Sequence, residues 1–445
     1  MLDVTVQPAE SPSTRSASSV RFRLEILTTF AEAERIRDAW DELAKRVDAD
    51  LFATFDWCAT WWKHFSEDRL LRIHAFWAGD DLVGLFPLFR ETISWGPLRL
   101  RVVRVLGTDH AGTRCWPLFE SSRVDEMVRT LLSELGRERA WDVFQIGDLP
   151  GYYPGTQALG EALQMSGDGR TFRNLNYYPH AVFPIPPDFE TYLERLSGNE
   201  RNNIRKNERR LSKTHDLSCS IVPREKCDSY LREFFQWHDE YWNAQNELGF
   251  FSLWPGARQF HADFAHLSRR GSESVFLRVV ANENPVGSVY AYRFCNRLHL
   301  FQAVRAPRPE WDSYGAGRLL HCETFRWCMT RGVTAVDGMS GFYEYKRRLG
   351  AEFLGLATLA VVHPSFSSRI RVRLVRTLIL AINALYFRLW LSRVVPFLRS
   401  RKGLHDRSWL RAGMARRFIR SRFLMAALRD SATDQVVEAT EQGDG

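Results

Sequence analysis

Residues 298–350 decide the fold and read LHLFQAVRAPRPEWDSYGAGRLLHCETFRWCMTRGVTAVDGMSGFYEYKRRLG. The apolar run Leu298–Val304 predicts a buried strand, and the polar segment Arg305–Tyr314, which contains prolines, predicts a connection. A helix is predicted over about Arg318–Thr330, because apolar residues recur there at helical spacing. Val333–Val336 predicts a second, short strand. The stretch therefore reads as strand, loop, helix and strand.

The small residues Gly315-Ala316-Gly317, just before that helix, predict an anion site. They let backbone N–H groups approach an anion closely, and the helix dipole favours negative charge at the same place. The pattern predicts a cradle for a phosphate or pyrophosphate, and an ordinary tight turn is the alternative. The sequence has neither the Walker pattern nor the three-glycine dinucleotide pattern. Those absences argue against a nucleotide triphosphatase and against NAD or FAD binding.

Two motifs in this stretch carry a resemblance to a known family. Tyr314–Leu320 reads YGAGRLL, and Glu344–Gly350 reads EYKRRLG. Together they resemble the GNAT-type acetyltransferases of the CelD/BcsL class, which are linked to the synthesis of cellulose and other exopolysaccharides. Phe52–Phe65 (FATFDWCATWWKHF) and Trp141–Ile146 (WDVFQI) also resemble segments of that family. The family in turn resembles the Fem-type peptidoglycan aminoacyl transferases, which have two GNAT-like halves.

The resemblance implies that acetyl-CoA or another acyl-CoA is the co-substrate and that no metal is needed. The strand Leu298–Val304 would pair with the pantetheine arm. The following loop would hold the pyrophosphate through backbone N–H groups, with Arg318 adding positive charge. The expected cofactor-binding residues are Gln302, Val304, Tyr314, Gly315, Ala316, Gly317 and Arg318.

Acyl transfer from a thioester needs a base for the attacking group, donors for the oxyanion and an acid for the departing thiolate. We expect Asp337, at the end of its strand, or Glu344, in the following loop, to be the base. Tyr345 is the expected acid. Asp337 has the alternative role of capping a turn.

Two other groups have a structural interpretation. His299 alternates with apolar strand neighbours and is interpreted as a satisfied core histidine. Asp109 and His110 are interpreted as solvated or capping loop residues, with catalysis or substrate binding as the alternative.

A basic helix is predicted to begin at the capping box formed by Ser197 and Glu200. Arg201 and Arg205 share one face of it, and cations outnumber acids along its length. We expect Arg201, Arg205 and, from the later motif, Lys346 to bind an anionic group of the substrate. The alternatives are a solvated surface helix and, for Lys346, a surface ion pair with a neighbouring glutamate.

The element order, together with the resemblance, predicts an α/β (α+β) fold. We expect two GNAT-like domains with mixed, mostly antiparallel sheets flanked by helices, followed by a basic helical tail. The predicted division is a disordered leader (1–19), an N-terminal GNAT-like domain (20–180), a C-terminal GNAT-like domain with the acyl-CoA site (181–365), a basic helical tail (366–430) and an acidic disordered end (431–445). Residues 351–363 are predicted to close the second domain as one or two strands.

The net charge of +8 hides an asymmetry. Residues 366–430 carry 16 Lys and Arg against two Asp, or +14, and residues 431–445 carry −4, so residues 1–365 carry 8 − 14 + 4 = −2. The longest uncharged run of the apolar segment 374–398 is 11 residues, shorter than the roughly 20 that a spanning helix needs. The tail therefore predicts peripheral contact with an anionic membrane, with helices packed on the body as the alternative.

Location and excluded partners follow from composition. The seven cysteines are scattered without a C-x-x-C pair, and the N-terminus has no secretory pattern. We therefore expect a cytoplasmic protein at the inner face of the plasma membrane. No recognised nucleic-acid-binding fold is evident, so nucleic acid is not an expected partner.

These observations favour acyl transfer from acyl-CoA to an amine or hydroxyl of a sugar-containing or polysaccharide-precursor acceptor. One alternative is a Fem-like transferase that uses charged tRNA as donor. Another is a non-catalytic scaffold in a polysaccharide-synthesis complex, which the basic tail would attach to a membrane or a synthase.

Overall fold

The computed structural model describes residues 22–385, except positions 96, 108–114, 139–140, 151–152, 154, 167–170, 176–178, 246–248, 254 and 268–271. The predicted leader, the loop residues Asp109 and His110, most of the basic tail and the acidic end lie outside the described residues. The described chain forms two mixed sheets flanked by helices, as predicted.

The strands in chain order are Arg23–Leu27 (β1), Leu70–Ala78 (β2), Asp81–Trp95 (β3), Leu98–Val105 (β4), Leu118–Phe119 (β5), Val143–Pro150 (β6), Thr171–Leu175 (β7), His180–Pro184 (β8), Leu217–Ile221 (β9), Ser272–Ala281 (β10), Asn284–Phe294 (β11), Arg297–Arg305 (β12), Ala335–Ser340 (β13), Glu352–Leu354 (β14) and Leu356–Val362 (β15).

The α-helices in chain order are Phe30–Ala33 (α1), Arg37–Arg46 (α2), Phe55–Phe65 (α3), Val124–Glu138 (α4), Gly155–Ser166 (α5), Phe189–Arg195 (α6), Gly198–Leu211 (α7), Cys227–Ala244 (α8), Phe250–Leu253 (α9), Ala257–Ala265 (α10), Ala316–Thr330 (α11), Glu344–Arg348 (α12) and Phe366–Leu385 (α13).

The two sheets are mixed and mainly antiparallel. The first has the order β1-β2-β3-β4-β6-β15-β7, with β5 beside β3, and β4 and β6 are parallel. The second has the order β14-β8-β13-β12-β11-β10-β9, and β12 and β13 are parallel. The helix α11 connects β12 to β13, so residues 298–350 contain the predicted strand, loop, helix and strand, and the two strands are parallel.

A hairpin of the first sheet forms from β2 and β3, with Gly79 and Asp80 at its turn. Within β3, a Cβ at Gly84 would lie 2.4 Å from the Sδ of Met127 on α4. The glycine therefore lets α4 pack directly on the strand.

The last strand lies in a different sheet from the predicted one. The strand β14 pairs with β8 in the second sheet, but β15 begins only two residues later and pairs with β6 and β7 in the first sheet. All seven residues of β15 are buried, so the strand needs neighbours on both edges and cover on both faces. The gap between β6 and β7 provides these neighbours. The prediction that residues 351–363 close the second domain is therefore wrong for β15.

The two halves of the chain share an aromatic core. The indole of Trp57 on α3 lies 4.7 Å from the ring of Phe264 on α10 and 5.4 Å from that of Tyr292 on β11, measured between ring centroids. Both contacts are edge-to-face, the arrangement that aromatic pairs prefer. The N-terminal half thus packs directly against one face of the second sheet.

Helix α13 is fixed to the first sheet through the buried carboxylate of Asp142. This group accepts hydrogen bonds from Arg101, from the hydroxyl of Ser368 at 2.6 Å and from Arg371 at 2.7 Å. Burial alone would raise the pKa of Asp142, but the bonds from Arg101 and Ser368 outweigh it and lower the pKa to about 2. The charged carboxylate therefore stabilises the attachment of α13.

We predict that Asp142→Asn lowers the free energy of unfolding by about 2 kcal/mol at pH 7. A carboxyl whose pKa is lowered on folding stabilises the protein above its unfolded pKa and loses that effect as the pH falls through its folded pKa. The difference between wild type and variant should therefore shrink between about pH 4 and pH 2, as measured by urea unfolding. Glu134→Gln, which removes the exposed pair with Arg137, is the control and should cost less than about 0.5 kcal/mol.

Candidate active site

The central strands of the second sheet separate after a short parallel contact. Arg297, Leu298 and His299 of β12 pair with Ala335, Val336 and Asp337 of β13, and the pairing stops there. In the described part of the chain no strand pairs with β12 on this side over residues 300–305. The register between β11 and β12 also shifts, so that Phe301 is an extra residue at a bulge. We call the opening between the two strands the wedge.

We call the point where the two strands separate, at His299 and Asp337, the vertex of the wedge. Helix α11 begins after the opposite end of β12. Gly315 precedes it in the left-handed conformation, with φ of +67°. The N–H groups of Arg318 and Leu319 donate to the Gly315 carbonyl, whereas those of Ala316 and Gly317 make no hydrogen bond to any described residue. These two N–H groups would be available to an anion.

A second glycine brings α11 close to the sheet. A Cβ at Gly287 on β11 would lie 2.6 Å from a methyl group of Leu320 and 2.6 Å from the Val304 carbonyl. Any larger residue would push α11 away from the strands. The Val286-Gly287 segment therefore determines how near the helix lies to the wedge.

The expected cofactor-binding residues lie along this segment. Gln302 is half-buried on the part of β12 that pairs with β11 but has no partner on the wedge side. Val304 is buried in the core. Tyr314 is half-buried at the end of a 3₁₀ turn, under the guanidinium of Arg210. The backbone of 302–304, rather than the Val304 side chain, is what the wedge exposes to a ligand.

Arg318 has a different partner from the expected one. Its guanidinium pairs with the buried carboxylate of Glu200 at the start of α7, so its charge is already compensated. The hydroxyl of Ser197 accepts from the Glu200 N–H at 3.2 Å, which confirms the N-cap. The Glu200 side chain thus joins the starts of α7 and α11. An anion at the start of α11 would therefore meet the N–H groups of Ala316 and Gly317 and not an unpaired Arg318.

Asp337 is fully buried at the vertex of the wedge. Its carboxylate lies 3.1 Å from Nε2 of His180 and 3.1 Å from Nδ1 of His299, and it accepts from the Met339 N–H at 2.8 Å. Asp337 is the third residue of β13 and not its end, because pairing with β8 extends the strand to Ser340. The carboxylate is therefore held within the sheet and not exposed on a loop.

The hydrogen-bonded group at the vertex extends into the N-terminal half. Nε2 of His299 lies 3.9 Å from the carboxylate of Asp50, which Arg297 contacts at 2.6 Å. Oxygen and nitrogen atoms of Asp50, His299 and Asp337 lie within 4.8 Å of one another. Donors of these types bind divalent metals, but here Arg297 engages Asp50 and the imidazoles engage Asp337.

Sequence reasoning did not find His180 or Asp50. His180 comes before α6, at the predicted domain boundary, and Asp50 belongs to the other half of the chain. Neither forms a motif with Asp337: the pairing of β8 with β13 brings His180 to it, and the packing of the two halves brings Asp50 to His299 and Arg297. The pairing of His299 with Asp337 could have been inferred from the parallel unit, since both lie at the same level of adjacent strands.

Glu344 and Tyr345 lie on the short helix α12 and not in a loop. Hydrogen bonds from Arg347 and Arg348 lower the pKa of Glu344 to about 2. Tyr345 is 47% exposed, and partial desolvation of its hydroxyl raises its pKa to about 12. Its ring lies 5.4 Å from that of His321 on α11. The imidazole of His321 donates from Nδ1 to the Gly317 carbonyl at 2.8 Å. Tyr345 is thus brought next to the first turns of α11.

Lys346 is buried, contrary to its expected role as a substrate contact or surface residue. Its ammonium group donates to the carbonyls of Met339, Ser340 and Gly341 at 3.2–3.4 Å. Met339 and Gly341 have positive φ values of +63° and +108°. Lys346 therefore holds the strained backbone at the end of β13 and at Gly341, and it is not directed at a substrate in this arrangement.

The basic helix α7 lies beside the cradle through the contact between Glu200 and Arg318. Arg201 is half-buried in its first turn. Arg205 pairs with Glu190 on α6 and is exposed. The structure thus brings the wedge, the free N–H groups and Tyr345 together. Arg205 and Arg318, in contrast, form ion pairs with glutamates of the protein.

Comparisons with known proteins bear on the fold of this chain. Residues 198–347 match the family described as an acetyltransferase (GNAT) domain. Among solved structures, "Crystal structure of FemX" aligns with a TM-score of 0.53 and 11% identity over 76% of this chain and 97% of that chain. The predicted fold class of two GNAT-like, mixed-sheet domains is confirmed, and a GNAT-type acyltransferase domain is supported. At this identity the likeness to FemX concerns the fold alone.

Two other structures are similar over most of their length. A conserved protein of unknown function from Bacteroides thetaiotaomicron VPI-5482 has a TM-score of 0.48 and 11% identity, covering 74% of this chain and 97% of that chain. A tandem GNAT protein from the clavulanic acid biosynthesis pathway has a TM-score of 0.40 and 13% identity, covering 77% of this chain and 100% of that chain. No curated protein matches the chain significantly.

We predict that Lys346→Met lowers the free energy of unfolding by about 1–3 kcal/mol, because three carbonyls lose their donor inside the protein. Urea unfolding measures the change. The matched control is Arg348→Met two residues later, whose side chain is exposed and should cost less than about 0.5 kcal/mol. Equal effects of the two substitutions would contradict the role assigned to Lys346.

Proposed function

We propose that this chain transfers an acyl group from acyl-CoA, such as acetyl-CoA, to an amine or hydroxyl of a sugar-containing acceptor. The observation that carries the proposal is that one segment offers both an unpaired strand edge and two free N–H groups at a helix start. A strand edge suits the amide groups of a pantetheine arm, and helix N–H groups suit a diphosphate. The match of residues 198–347 to a GNAT domain supports the same donor.

The reaction would proceed at the vertex of the wedge. The acceptor nitrogen or oxygen attacks the thioester carbonyl carbon, the C–S bond breaks, and the departing thiolate takes a proton. An N–H group on the free edge of β12 would stabilise the oxyanion. We assign Tyr345 as the acid, because its phenol carries a proton at neutral pH and its ring lies beside the first turns of α11.

Asp337 is the better of the two expected bases. A carboxylate with a pKa of about 2, such as Glu344, accepts a proton weakly at neutral pH. Asp337 lies at the vertex, and His180 and His299 on either side of it would carry the accepted proton further. We therefore assign proton removal to Asp337 and its two imidazoles, and we assign Glu344 to the alignment of α12.

The donor site is tested by calorimetric titration with acetyl-CoA and CoA. We predict that wild type binds both and that Gly317→Pro raises the dissociation constant by about 10–100-fold, because proline removes one phosphate-binding N–H. Proline is tolerated in the first turn of a helix, where this N–H has no intrahelical partner. Gly317→Ala keeps the N–H and adds a methyl group with no atom within 4 Å, so it is the matched control.

Each result decides between the hypotheses. Equal binding by the proline and alanine variants would contradict the cradle. Absence of binding by the wild type would favour the charged-tRNA donor, which is then tested by binding of aminoacyl-tRNA. A scaffold would keep full function in cells with Asp337→Ala and Glu344→Ala and would lose it on removal of residues 367–445.

Exposed aromatic rings beside the wedge support a sugar-containing acceptor. The side chains of Phe342 and Tyr343 are 60% and 56% exposed, directly after β13. Their backbone is held by the bonds of Lys346 to the preceding residues. Exposed apolar surface on a rigid loop marks a ligand site, and the C–H face of a sugar ring packs on an aromatic ring.

We predict that Phe342→Ala raises the KM for the acceptor by about 10-fold and leaves the dissociation constant of CoA unchanged, since one stacking contact is worth about 1–2 kcal/mol. The assay is release of CoA thiol with a panel of free and nucleotide-linked amino sugars. Met165→Ala, another exposed apolar position, is the control. A rise in the KM for acetyl-CoA instead would show that Phe342 serves the donor.

The resemblance to the CelD/BcsL class also supports a proposal for the pathway and the cellular location of the reaction. We place the reaction in the synthesis of cellulose or another exopolysaccharide, on the cytoplasmic side of the plasma membrane. The basic tail from residue 366 onward would bring the protein to that membrane.

A further inference from the structure

Helix α13 has one face that is firmly docked on the protein. Ser368, Val372 and Val375 are buried, and the two valines pack against a small core that includes Leu100 of β4 and Val362 of β15. The hydroxyl of Ser368 and the guanidinium of Arg371 bind Asp142. The orientation of the helix about its own axis is therefore fixed.

The opposite face displays an apolar stripe. Phe366, Ile370 and Leu374 recur every four residues and are 77%, 42% and 49% exposed. Residues four apart lie one above the other on a helix, so the three side chains form a continuous row. Because the opposite face is docked, the helix cannot rotate to bury this row. A continuous exposed apolar row on a fixed helix indicates a surface that is covered in use.

Arginines follow one flank of the stripe. Arg369, Arg373 and Arg376 are spaced by four and three residues and lie on the same side of it. Nε of Arg369 is shielded from solvent and has no hydrogen-bond partner in the described part of the chain. Residues 366–385 contain four arginines and no acidic residue. The stripe is therefore an apolar row beside a purely basic one.

The charges identify what covers the stripe. Residues 386–430 carry 12 Lys and Arg against two Asp, so the chain that follows would repel the arginines of α13. A second copy of α13 would bring the same positive charge. Anionic lipid headgroups provide a dense layer of negative charge above an apolar layer. None of the helices in the described ranges is long and apolar enough to cross a bilayer.

We propose that α13 lies flat on an anionic lipid bilayer. Phe366, Ile370 and Leu374 would enter the boundary between headgroups and acyl chains, and Arg369 and Arg373 would contact lipid phosphates. This surface deepens the membrane part of the proposed function, and it does not depend on the acyl-transfer reaction. The first sheet, to which α13 is docked, would then face the membrane on that side.

The test is co-sedimentation of the full chain with vesicles of phosphatidylcholine containing 30% phosphatidylglycerol, beside vesicles of phosphatidylcholine alone. Wild type should bind the anionic vesicles and not the neutral ones. The triple variant Phe366→Ser, Ile370→Ser and Leu374→Ser should bind the anionic vesicles at least about tenfold more weakly than wild type, although its charge is unchanged. The matched control, Leu70→Ser with Met165→Ser, removes exposed apolar side chains elsewhere and should bind like wild type.

Two results would overturn the proposal. If the triple variant binds like wild type, the basic segment after residue 385 binds lipid without α13. If wild type does not bind anionic vesicles, light scattering shows whether the stripe joins two copies, in which case the triple variant becomes monomeric. Titration with CoA accompanies both experiments. Unchanged CoA affinity in the triple variant separates failure of this surface from failure of the acyl-transfer proposal.

Discussion

The separation of β12 and β13 after three residue pairs is the constraint on which the candidate site depends. Two parallel strands at the centre of a sheet normally satisfy each other's backbone groups along their length. Here the bulge at Phe301 shifts one strand, and pairing with β8 draws the other away. The resulting unsatisfied edge is costly unless water or a ligand pairs with it. Gly315, in the left-handed conformation, and Gly287, which Leu320 of α11 approaches closely, together place the start of α11 over this opening.

Sequence reasoning predicted the local elements of this unit and missed the partners of its charged groups. The strand, the helix and the N-cap at Ser197 depend on neighbours a few residues away, and periodicity reports such neighbours. Arg318, Lys346 and Asp337 were expected to face a ligand because their residue types bind anions or move protons. Arg318 pairs with Glu200, Lys346 with three backbone carbonyls at the end of β13, and Asp337 with His180 and His299. Only the tertiary fold brings most of these partners into contact. Residue type alone does not reveal these partners, and so it does not decide between a structural and a catalytic role.

The strand β15 shows the same limit at the level of topology. Six of its seven residues are apolar, and they clearly indicate a buried strand. The sequence contains no local signal for which sheet receives it, because either sheet could bury it. The second sheet already has β14 beside β8 at that edge, whereas the first sheet has a place between β6 and β7. The availability of a free strand edge therefore determined which sheet β15 joins.

This return of the chain has a consequence for how the protein is made. During synthesis on the ribosome, β6 and β7 emerge long before residue 356. Until β15 arrives, β7 has no neighbour in the sheet order and β6 has an open edge, so the first half cannot complete its sheet. The first sheet therefore cannot fold as a complete unit before the second half of the chain has been made. The nascent chain must keep an open strand edge protected until β15 has emerged. A chain released early by a premature stop codon would leave this edge exposed and prone to aggregate.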